Sequence, residues 1–431
     1  METSFVNLCP ISFTKGGTMG IRRKAMSARE KGSKAGRGAV ESGEKATSLR
    51  YKMMDLAKSR KDVISLGRGD PDLHTQREII DGTMKYFSTL SNRDASSDNS
   101  ILGPVRGLPD LKRKIADRYM EEKGISVDPE KELIITNGGQ EGLFLALLAL
   151  VDPGDKVACP DPRYTSYDQA IGACGGTIVS IPTQQEGRFF ELKEADLREY
   201  ASDAKLLVFV NPSNPTGSCA TVESVRKLAE VAKEMGIIVL SDEIYEDIIF
   251  DDHKSLCFWG VDGARDRSIV LSGFSKSYAM TGFRVGFLVG PPDFIDAVSS
   301  IKETTSGPCP TFSQYAALAA LEMENDSRPQ FLSRYKDRRQ ILMDGFNRMR
   351  VPYAEHYGGL FLWADMTRFG IGAEEFCYRL LRDAGVLMFP GNSFGDSWRN
   401  WVRVSLLAPK KSIEEAMARM TEFVEGLEED G

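Results

Sequence analysis

The sequence has few of the residues from which metal centres and disulfide frameworks are built. Its seven cysteines are scattered and form no Cys-x-x-Cys pair, and none of its three histidines has another histidine or cysteine at ligand spacing. We therefore expect no metal site and no disulfide framework, and unpaired cysteines favour a reducing, cytoplasmic location. No apolar run reaches the roughly 18 residues of a membrane-spanning helix, so we expect no membrane association.

The sequence also lacks an excess of positive charge. Lysine and arginine number 55 against 62 acidic residues, and the net charge of −7 gives no general electrostatic reason to bind nucleic acid. The N-terminus is the exception, because the first 40 residues hold eight basic and two acidic side chains. We expect residues 1–49 to form a flexible arm, and an organelle-targeting segment is the alternative.

The middle of the chain has the pattern of a large α/β domain. A chain of 431 residues is too long for a single hydrophobic core of ordinary size, so we expect more than one domain. From Glu132 onward short apolar runs alternate with helical patterns, as in a mainly parallel sheet with helices on both faces. We expect a three-layer α/β/α domain over residues 73–324, with an exposed loop at residues 91–100. The predicted strands are 133–136, 156–159, 205–210, 237–241, 268–272 and 285–289.

The two flanking regions have a different pattern. Residues 50–72 and 325–431 combine amphipathic helices with short strands, such as residues 360–363 and 401–404. We expect these regions, from both ends of the chain, to form a smaller α+β domain. Because functional groups of open parallel sheets collect beyond the carboxyl ends of the strands, we expect the chemistry at that edge of the larger domain.

The most specific motif is the stretch from Ser272 to Gly286, with the sequence SGFSKSYAMTGFRVG. It places Lys276 directly after a predicted buried strand. Burial lowers the pKa of a lysine, and an amine needs a low pKa to react with a carbonyl group at neutral pH. A lysine alone is far more often a solvated surface charge. The whole string, however, resembles the lysine signature of class I and II aminotransferases, which are fold type I enzymes dependent on pyridoxal 5′-phosphate (PLP).

The resemblance extends over residues 60–410, because further motifs follow in the family's order. It implies an aspartate aminotransferase-like fold with PLP as cofactor. In the family's pattern Lys276 holds PLP as an internal aldimine, and Arg284 binds its phosphate. Gly138, Gly139 and Gln140 lie between a predicted strand and an apolar helix, where backbone amides suit an anion. They match the family's phosphate-binding turn, although glycines alone are weak evidence.

Asp242 follows a predicted buried strand, where a carboxylate is costly unless a cation lies beside it. The family places an aspartate here against the protonated pyridine nitrogen of PLP, and the matching Tyr245 hydrogen-bonds the phenolic oxygen of the ring. The alternative is that Asp242 only caps a helix. Asn214, in the string NPSNPTG, matches a residue that donates to the same phenolic oxygen and helps to orient substrate. Such a string alone predicts only a turn.

Three further residues complete the predicted site. Tyr164 matches the aromatic residue that stacks on the pyridine ring, and ordinary core packing is its alternative. Gly69 matches the glycine that lets substrate approach the backbone. Arg403, on a predicted alternating strand, matches the arginine that binds the substrate α-carboxylate, for which a planar guanidinium is suited. A surface salt bridge is the alternative for Arg403.

The resemblance implies a homodimeric aminotransferase that moves an amino group from an α-amino acid to a 2-oxo acid by a ping-pong mechanism. Lys276 is then both anchor and base, with Asp242 and Tyr245 as catalytic partners. A PLP-dependent C–S lyase or a 1-aminocyclopropane-1-carboxylate synthase-like enzyme is the alternative, because the shared cofactor residues do not fix which bond breaks. The motifs do not predict the side chain of the substrate.

One position departs from the family's pattern. A tyrosine that commonly reaches across the dimer interface to the PLP phosphate is replaced by Leu102, and the preceding insert contains no tyrosine. Leucine cannot donate a hydrogen bond. We therefore expect weaker PLP retention or another donor, for which Arg106 is the nearest candidate.

Overall fold

The computed structural model describes residues 52–91, 102–183, 188 and 190–429. The predicted arm over residues 1–49 lies outside these ranges, as does nearly all of the predicted loop at residues 91–100. Both remain predictions.

The strands of the described chain form three sheets. In chain order they are β1 Ile64–Ser65, β2 Leu133–Thr136, β3 Lys156–Asp161, β4 Thr177–Pro182, β5 Leu206–Val210, β6 Ile238–Asp242, β7 Ser268–Gly273, β8 Gly286–Val289, β9 Phe361–Asp365, β10 Val386–Leu387, β11 Phe389–Pro390 and β12 Trp401–Ser405. The α-helices are α1 over residues 52–59, α2 Arg77–Ser91, α3 Pro109–Lys123, α4 Gly138–Leu150, α5 Ser166–Ala173, α6 Glu194–Tyr200, α7 Val222–Met235, α8 Pro292–Thr305, α9 Thr311–Glu322, α10 Arg328–Arg348, α11 Ala373–Arg379 and α12 Lys410–Glu429.

The largest sheet has seven strands in the order β2-β8-β7-β6-β5-β3-β4. Strand β8 runs antiparallel to both of its neighbours, and the other adjacent pairs are parallel. The prediction of a mainly parallel sheet is confirmed.

Helices cover this sheet on both faces. Strand β5 is buried at all five positions. Leu207 and Phe209 belong to one hydrophobic core with residues of α3 and α7, whereas Leu206 and Val208 belong to a second core with residues of α4, α5 and α8. Because successive strand residues point to opposite faces, two cores require an apolar residue at every position. The continuous apolar runs of the sequence therefore come from the three-layer architecture.

Helix α7 illustrates how the sequence sets an element. The Thr221 hydroxyl accepts a hydrogen bond from the Ser224 amide at the helix start, and Gly236 at φ +73° ends the helix. The apolar face of α7, which includes Val225 and Leu228, is buried against the sheet.

A separate core lies beside the large sheet. It joins Met53 and Leu66, near the start of the described chain, with Leu342, Leu362 and Val404. Strand β1 pairs in parallel with β10, and β11, β12 and β9 form an antiparallel sheet. Residues from both regions assigned to a smaller domain thus share one core, and the domain boundaries stay a prediction.

The prediction of an alternating strand around Arg403 is wrong. All five residues of β12 are buried. The reason is that residues pack on both faces of β12: Val402 and Val404 belong to the separate core, whereas Trp401 lies in an aromatic cluster. Arg403 is therefore a buried arginine rather than a surface one, which removes the surface salt bridge as an explanation.

Candidate active site

The predicted site residues lie beyond the carboxyl ends of adjacent strands. Strand β6 ends at Asp242, β7 ends three residues before Lys276, and β5 ends four residues before Asn214. These three strands are parallel neighbours, so their carboxyl ends share one edge of the sheet. The fold therefore collects residues that are far apart in the sequence.

Lys276 is held at this edge by the backbone of a distant segment. Its Nζ donates a hydrogen bond of 2.6 Å to the Gly69 carbonyl oxygen. Burial lowers the pKa of Lys276 to about 8; the Asp70 carboxylate opposes this shift, and the charges of Arg284 and Arg403 add to it. At pH 7 an amine with a pKa of about 8 is roughly one tenth neutral, against about three in ten thousand at 10.5. Its environment thus leaves a larger share of the Lys276 amine neutral at pH 7 than in a solvated lysine.

Asp242 is a buried carboxylate with a directed hydrogen bond. Its Oδ2 accepts from the Tyr167 hydroxyl at 2.7 Å, and its Oδ1 accepts from the Ile244 amide at 3.2 Å. Burial raises the pKa of the Asp242 carboxyl, although both hydrogen bonds and the charge of Lys276 oppose the shift. A cation placed beside this carboxylate would offset the cost of burying it. Because residues 244–247 form turns and no α-helix, Asp242 is not a helix cap.

Asn214 and Arg403 meet at the boundary between the large sheet and the small one. Arg403 Nη1 donates to Asn214 Oδ1 at 3.2 Å, and Nη2 donates to the Gly67 carbonyl at 3.3 Å. Tyr245 is buried beside them, and burial raises the pKa of its hydroxyl while Arg403 and the Asn214 amide oppose the shift. Tyr245 therefore stays protonated and can donate a hydrogen bond at neutral pH.

Aromatic rings surround the Arg403 guanidinium. Its central carbon lies 4.0 Å from the ring centre of Phe361 and 4.7 Å from that of Phe394. The rings stabilise the cation through their π faces and keep water away from it. An anion bound by Arg403 would therefore experience a stronger attraction than in bulk water.

A compact cradle lies at the N-terminus of α4. Gly138 has φ +76°, and a Cβ atom there would lie 2.5 Å from Nη2 of Arg284. Gly286 approaches so closely that its Cβ would lie 2.8 Å from the Gly139 amide nitrogen. Gln140 is exposed at the same helix end. An arginine beside the free amides of a helix N-terminus is suited to a phosphate group.

Tyr164 and Gly69 differ in their surroundings. Tyr164 is half-buried, packs in part against the second core of the large sheet and meets Tyr167 edge to face, with ring centres 5.6 Å apart. No atom lies within 4 Å of a Cβ built on Gly69. Gly69 therefore has open space beside it, whereas core packing accounts for part of the Tyr164 ring.

Sequence reasoning missed Tyr167, the residue that donates to Asp242. A signal was present, because Tyr167 follows Tyr164 by three residues and thus lies near it at the start of a helix. Nothing in the sequence indicates its partner, which is 75 residues away.

The position of Leu102 is exposed, with 70% of its surface accessible. Arg106, the donor expected to compensate for the missing tyrosine, is bound within the chain. It donates to Asp296, to Ser299 at 3.4 Å and to the Glu130 carbonyl at 3.3 Å. Reaching a phosphate would require Arg106 to leave these partners.

Metal-binding groups and membrane-spanning helices can be searched for only among the described residues. Among the described residues, no group of three or more His, Cys, Asp or Glu side chains is arranged to hold a metal ion. No helix in the same ranges combines the length and apolar character needed to span a bilayer.

Comparison with known proteins identifies the family. The sequence profile of the family "Aminotransferase class I and II" matches residues 61–420. The chain belongs to this family. Its members use PLP, and their reaction is the transfer of amino groups.

Individual relatives agree with the family assignment. This aminotransferase is 34% identical to an aspartate aminotransferase of Pyrococcus abyssi, over 86% of this chain and 93% of that protein. It is 32% identical to an LL-diaminopimelate aminotransferase of Desulforudis audaxviator, over 83% and 90% of the two chains. The solved structure of an aromatic aminotransferase from Pyrococcus horikoshii superimposes with a TM-score of 0.80 at 30% identity, covering 87% of this chain and 99% of that one.

These relatives establish an aspartate aminotransferase-like fold and an enzyme that transfers amino groups. They favour transamination over the C–S lyase and 1-aminocyclopropane-1-carboxylate synthase-like alternatives. Their names include three kinds of amino acid, so membership of the family does not fix the substrate side chain.

Proposed function

We propose that the chain binds PLP and catalyses ping-pong transamination between α-amino acids and 2-oxo acids, with Lys276 as the reacting amine. The observation that carries this proposal is the half-buried Lys276, whose Nζ is held by the Gly69 carbonyl and whose pKa is lowered to about 8 within one site that also contains a buried carboxylate and two arginines. A bound PLP supplies a carbonyl group for amine exchange and a ring that withdraws electrons from the substrate Cα.

The residues present fit PLP at both ends of the cofactor. At the phosphate end, the amides of Gly138, Gly139 and Gln140 and the guanidinium of Arg284 form a cradle that a Cβ at residue 138 would fill. At the ring end, the buried Asp242 carboxylate needs a cation, and a protonated pyridine nitrogen is one.

Three further side chains are assigned to the cofactor ring. Tyr164 packs against its face, because it is half-buried beside the Asp242 partner Tyr167. Tyr245 and Asn214 donate to its phenolic oxygen. Both are buried at the same place, and the raised pKa keeps the Tyr245 proton in position.

Arg403 binds the substrate α-carboxylate. The Asn214 side chain and the Gly67 carbonyl fix the plane of its guanidinium, and two phenylalanine rings exclude water from it. Gly69 leaves open space above the backbone for the substrate. A planar guanidinium held in this way can donate two parallel hydrogen bonds to a carboxylate.

Lys276 then moves the proton. Its neutral amine would accept the proton from the substrate Cα and would then donate a proton to the carbon that carried the carbonyl group of PLP. Lys276 would thus act first as a general base and then as a general acid. The Gly69 carbonyl keeps Nζ on the substrate side of the site. Each half-reaction exchanges one amino group for one carbonyl oxygen, so an amino acid and a 2-oxo acid enter, and a 2-oxo acid and an amino acid leave.

A panel of amino donors with 2-oxoglutarate tests this function. We expect glutamate and the donor's 2-oxo acid in equal amounts, with initial rates that follow a ping-pong pattern. Release of ammonia without glutamate would instead identify an eliminating enzyme. The same panel assigns the substrate side chain.

We also propose a homodimer and a cytoplasmic location. Helices α2 and α9 pack together through stacked rings, with Tyr86 and Tyr315 4.6 Å apart, yet they leave a hydrophobic patch exposed. This patch consists of Ile80, Met84, Phe87, Phe312 and Tyr315. An apolar patch of this kind is typical of a protein interface. Six described cysteines are buried and free, in keeping with a reducing compartment.

A further inference from the structure

A cluster of charged side chains lies next to the Lys276 segment and outside the set of residues assigned to the cofactor. Arg118 of α3 donates to Asp247 at 2.5 Å, and Arg328, the first residue of α10, donates to the same oxygen at 3.0 Å. The three side chains are 10%, 13% and 18% exposed for Arg118, Asp247 and Arg328. We name these three residues the Asp247 cluster.

The Asp247 cluster encloses the ring of Tyr278. The guanidinium carbons of Arg118 and Arg328 lie 5.9 Å and 5.6 Å from the ring centre. Both distances are within the range of a cation–π interaction, which is strong when the partners are desolvated. Tyr278 also packs against Phe274, with ring centres 5.7 Å apart, so its ring is held on several sides.

Tyr278 lies on the same backbone turn as Lys276. The Tyr278 amide donates to the Phe274 carbonyl at 3.2 Å, which closes one backbone turn from residue 274 to residue 278. Lys276 is the middle residue of that turn. Ser277, on the same turn, also interacts with the Asp247 carboxylate and helps to lower its pKa. Any shift of the Tyr278 ring or of Ser277 therefore moves the base of the Lys276 side chain.

The reaction itself does not explain three largely buried charges at this place. Desolvation of each charge is costly, and apolar side chains of similar volume commonly fill such a space with equal or greater stability. Charged partners, in contrast, require one arrangement of hydrogen bonds. The cluster also joins distant elements, because Arg328 donates to Glu122 of α3 as well.

We propose that the Asp247 cluster is a positioning device for the proposed PLP-binding amine: by clamping Tyr278 and Ser277 it fixes the turn that carries Lys276 and directs Nζ into the site. This inference rests on the proposed function only in taking Lys276 as the reacting amine. The cluster contacts neither substrate nor cofactor in this assignment, so its members act through Lys276.

Tyr278→Leu is the cleanest test, because it removes the clamped ring and changes no charge. A looser turn exposes Lys276 to water, so its pKa rises toward that of a free lysine while the facing charges of Asp70, Asp242, Arg284 and Arg403 stay in place. In the cofactor-free protein at pH 7, we expect labelling of Lys276 by an amine-specific reagent, quantified by peptide mass spectrometry, to slow at least about fivefold.

Asp247→Asn tests the same device from its charged side. We expect kcat to fall about tenfold or more while KM for the amino donor changes less than about twofold, because misplacement of the reacting amine affects the chemical step. Asp251→Asn is the matched control. Asp251 also pairs with an arginine of α10, Arg339, and its other ion pair within the described residues is with Lys336 of the same helix.

Three outcomes distinguish the possible results. Slower labelling in Tyr278→Leu, together with a lower kcat in Asp247→Asn but not in Asp251→Asn, supports the positioning device. Unchanged Lys276 labelling and kcat in both variants, with only a lower melting temperature, would show that the cluster is merely structural. If Asp247→Asn does not fold, the labelling of Tyr278→Leu alone decides whether the cluster positions Lys276.

Lys276→Ala separates this inference from the proposed function, because turnover that survives this change contradicts the proposed function rather than the positioning device.

Discussion

Asp242 occupies a position that is unfavourable in the absence of a positive partner. Burial raises the pKa of its carboxyl, and the hydrogen bonds from Tyr167 and the Ile244 amide offset only part of that cost. In the proposed complex with PLP, a protonated pyridine nitrogen would reverse the balance, because the pair of opposite charges stabilises both ionised forms. Asp242 would thereby keep the ring electron-poor, which is the condition for removing a proton from Cα.

We expect Asp242→Ala to lower kcat at least about a hundredfold, equivalent to ~2.7 kcal/mol of transition-state stabilisation. PLP affinity should fall much less, because the phosphate cradle is untouched. Asp242→Glu, which keeps the charge, should retain part of the activity. Steady-state kinetics and PLP titration of the cofactor-free protein measure both quantities, and near-native kcat in Asp242→Ala would leave Asp242 with only a structural role.

The pKa of Lys276 predicts how the rate of cofactor capture depends on pH. Burial disfavours the charged amine, so the neutral, nucleophilic form increases as the pH rises through about 8. The second-order rate of PLP capture by the cofactor-free protein should therefore rise from pH 6 and level off above pH 8. Stopped-flow absorbance measures this rate. A midpoint near 10.5 would show that Lys276 behaves as a solvated lysine.

At the scale of elements, the N-terminus of α4 depends on a glycine for two separate reasons. Gly138 has a positive φ, and its missing side chain leaves the space in which Arg284 lies. Gly236, at the end of α7, has φ +73° and open space around it, so it shares only the first property.

The two glycines therefore make a matched pair of alanine variants. Both should lose about 1–2 kcal/mol of unfolding free energy through backbone strain. Only Gly138→Ala displaces Arg284, so we expect its PLP dissociation constant to rise at least about tenfold, while that of Gly236→Ala stays within about twofold. Equal PLP affinity of the two variants, measured by fluorescence titration, would contradict the assignment of the phosphate cradle.

The predictability of each element depended on whether local sequence determines its surroundings. Six of the seven strands of the large sheet contain apolar runs, and their positions were predicted within a few residues. Strand β4 was missed, because it lies at the edge of the sheet and buries only one of its six residues. Strand β12 contains Trp401 and Arg403 and was predicted to alternate, but other parts of the chain pack on both of its faces and every residue is buried. Its strand partner β9 is up to 44 residues away, which no local pattern encodes.

Prediction of the site residues was limited in the same way, by contacts between residues distant in the sequence. Residues within motifs that resemble the family's pattern, such as Lys276 and Asn214, were assigned to the site from the sequence, and their roles stay predictions. Tyr167 and Asp247 were not, since their importance comes from partners distant in the sequence, Asp242 in one case and Arg118 in the other.

At the scale of the whole molecule, the hydrophobic patch on α2 and α9 predicts self-association. Met84 is 56% exposed within it. We expect the native protein to have the mass of a dimer by light scattering, and Met84→Glu to shift it to a monomer, because a buried unpaired charge is costly in an interface. Met120→Glu is the control, since Met120 is 50% exposed on α3 and lies outside the patch. A monomeric native protein, or identical behaviour of both variants, would count against this interface.

The large sheet, the small sheet and the site also form one arrangement at this scale. Lys276 and Asp242 come from the large sheet, whereas Arg403 comes from the small sheet and Gly69 from the segment near the start of the described chain. No single part of the chain contains the whole site. The role of Lys276 is therefore the claim on which the other assignments depend.

Reduction of the PLP-loaded protein with borohydride, followed by peptide mass spectrometry, tests that claim most directly. The account predicts a pyridoxyl adduct on Lys276, lost together with steady-state turnover in Lys276→Ala. An adduct on a different lysine, or one that persists in Lys276→Ala, would contradict it.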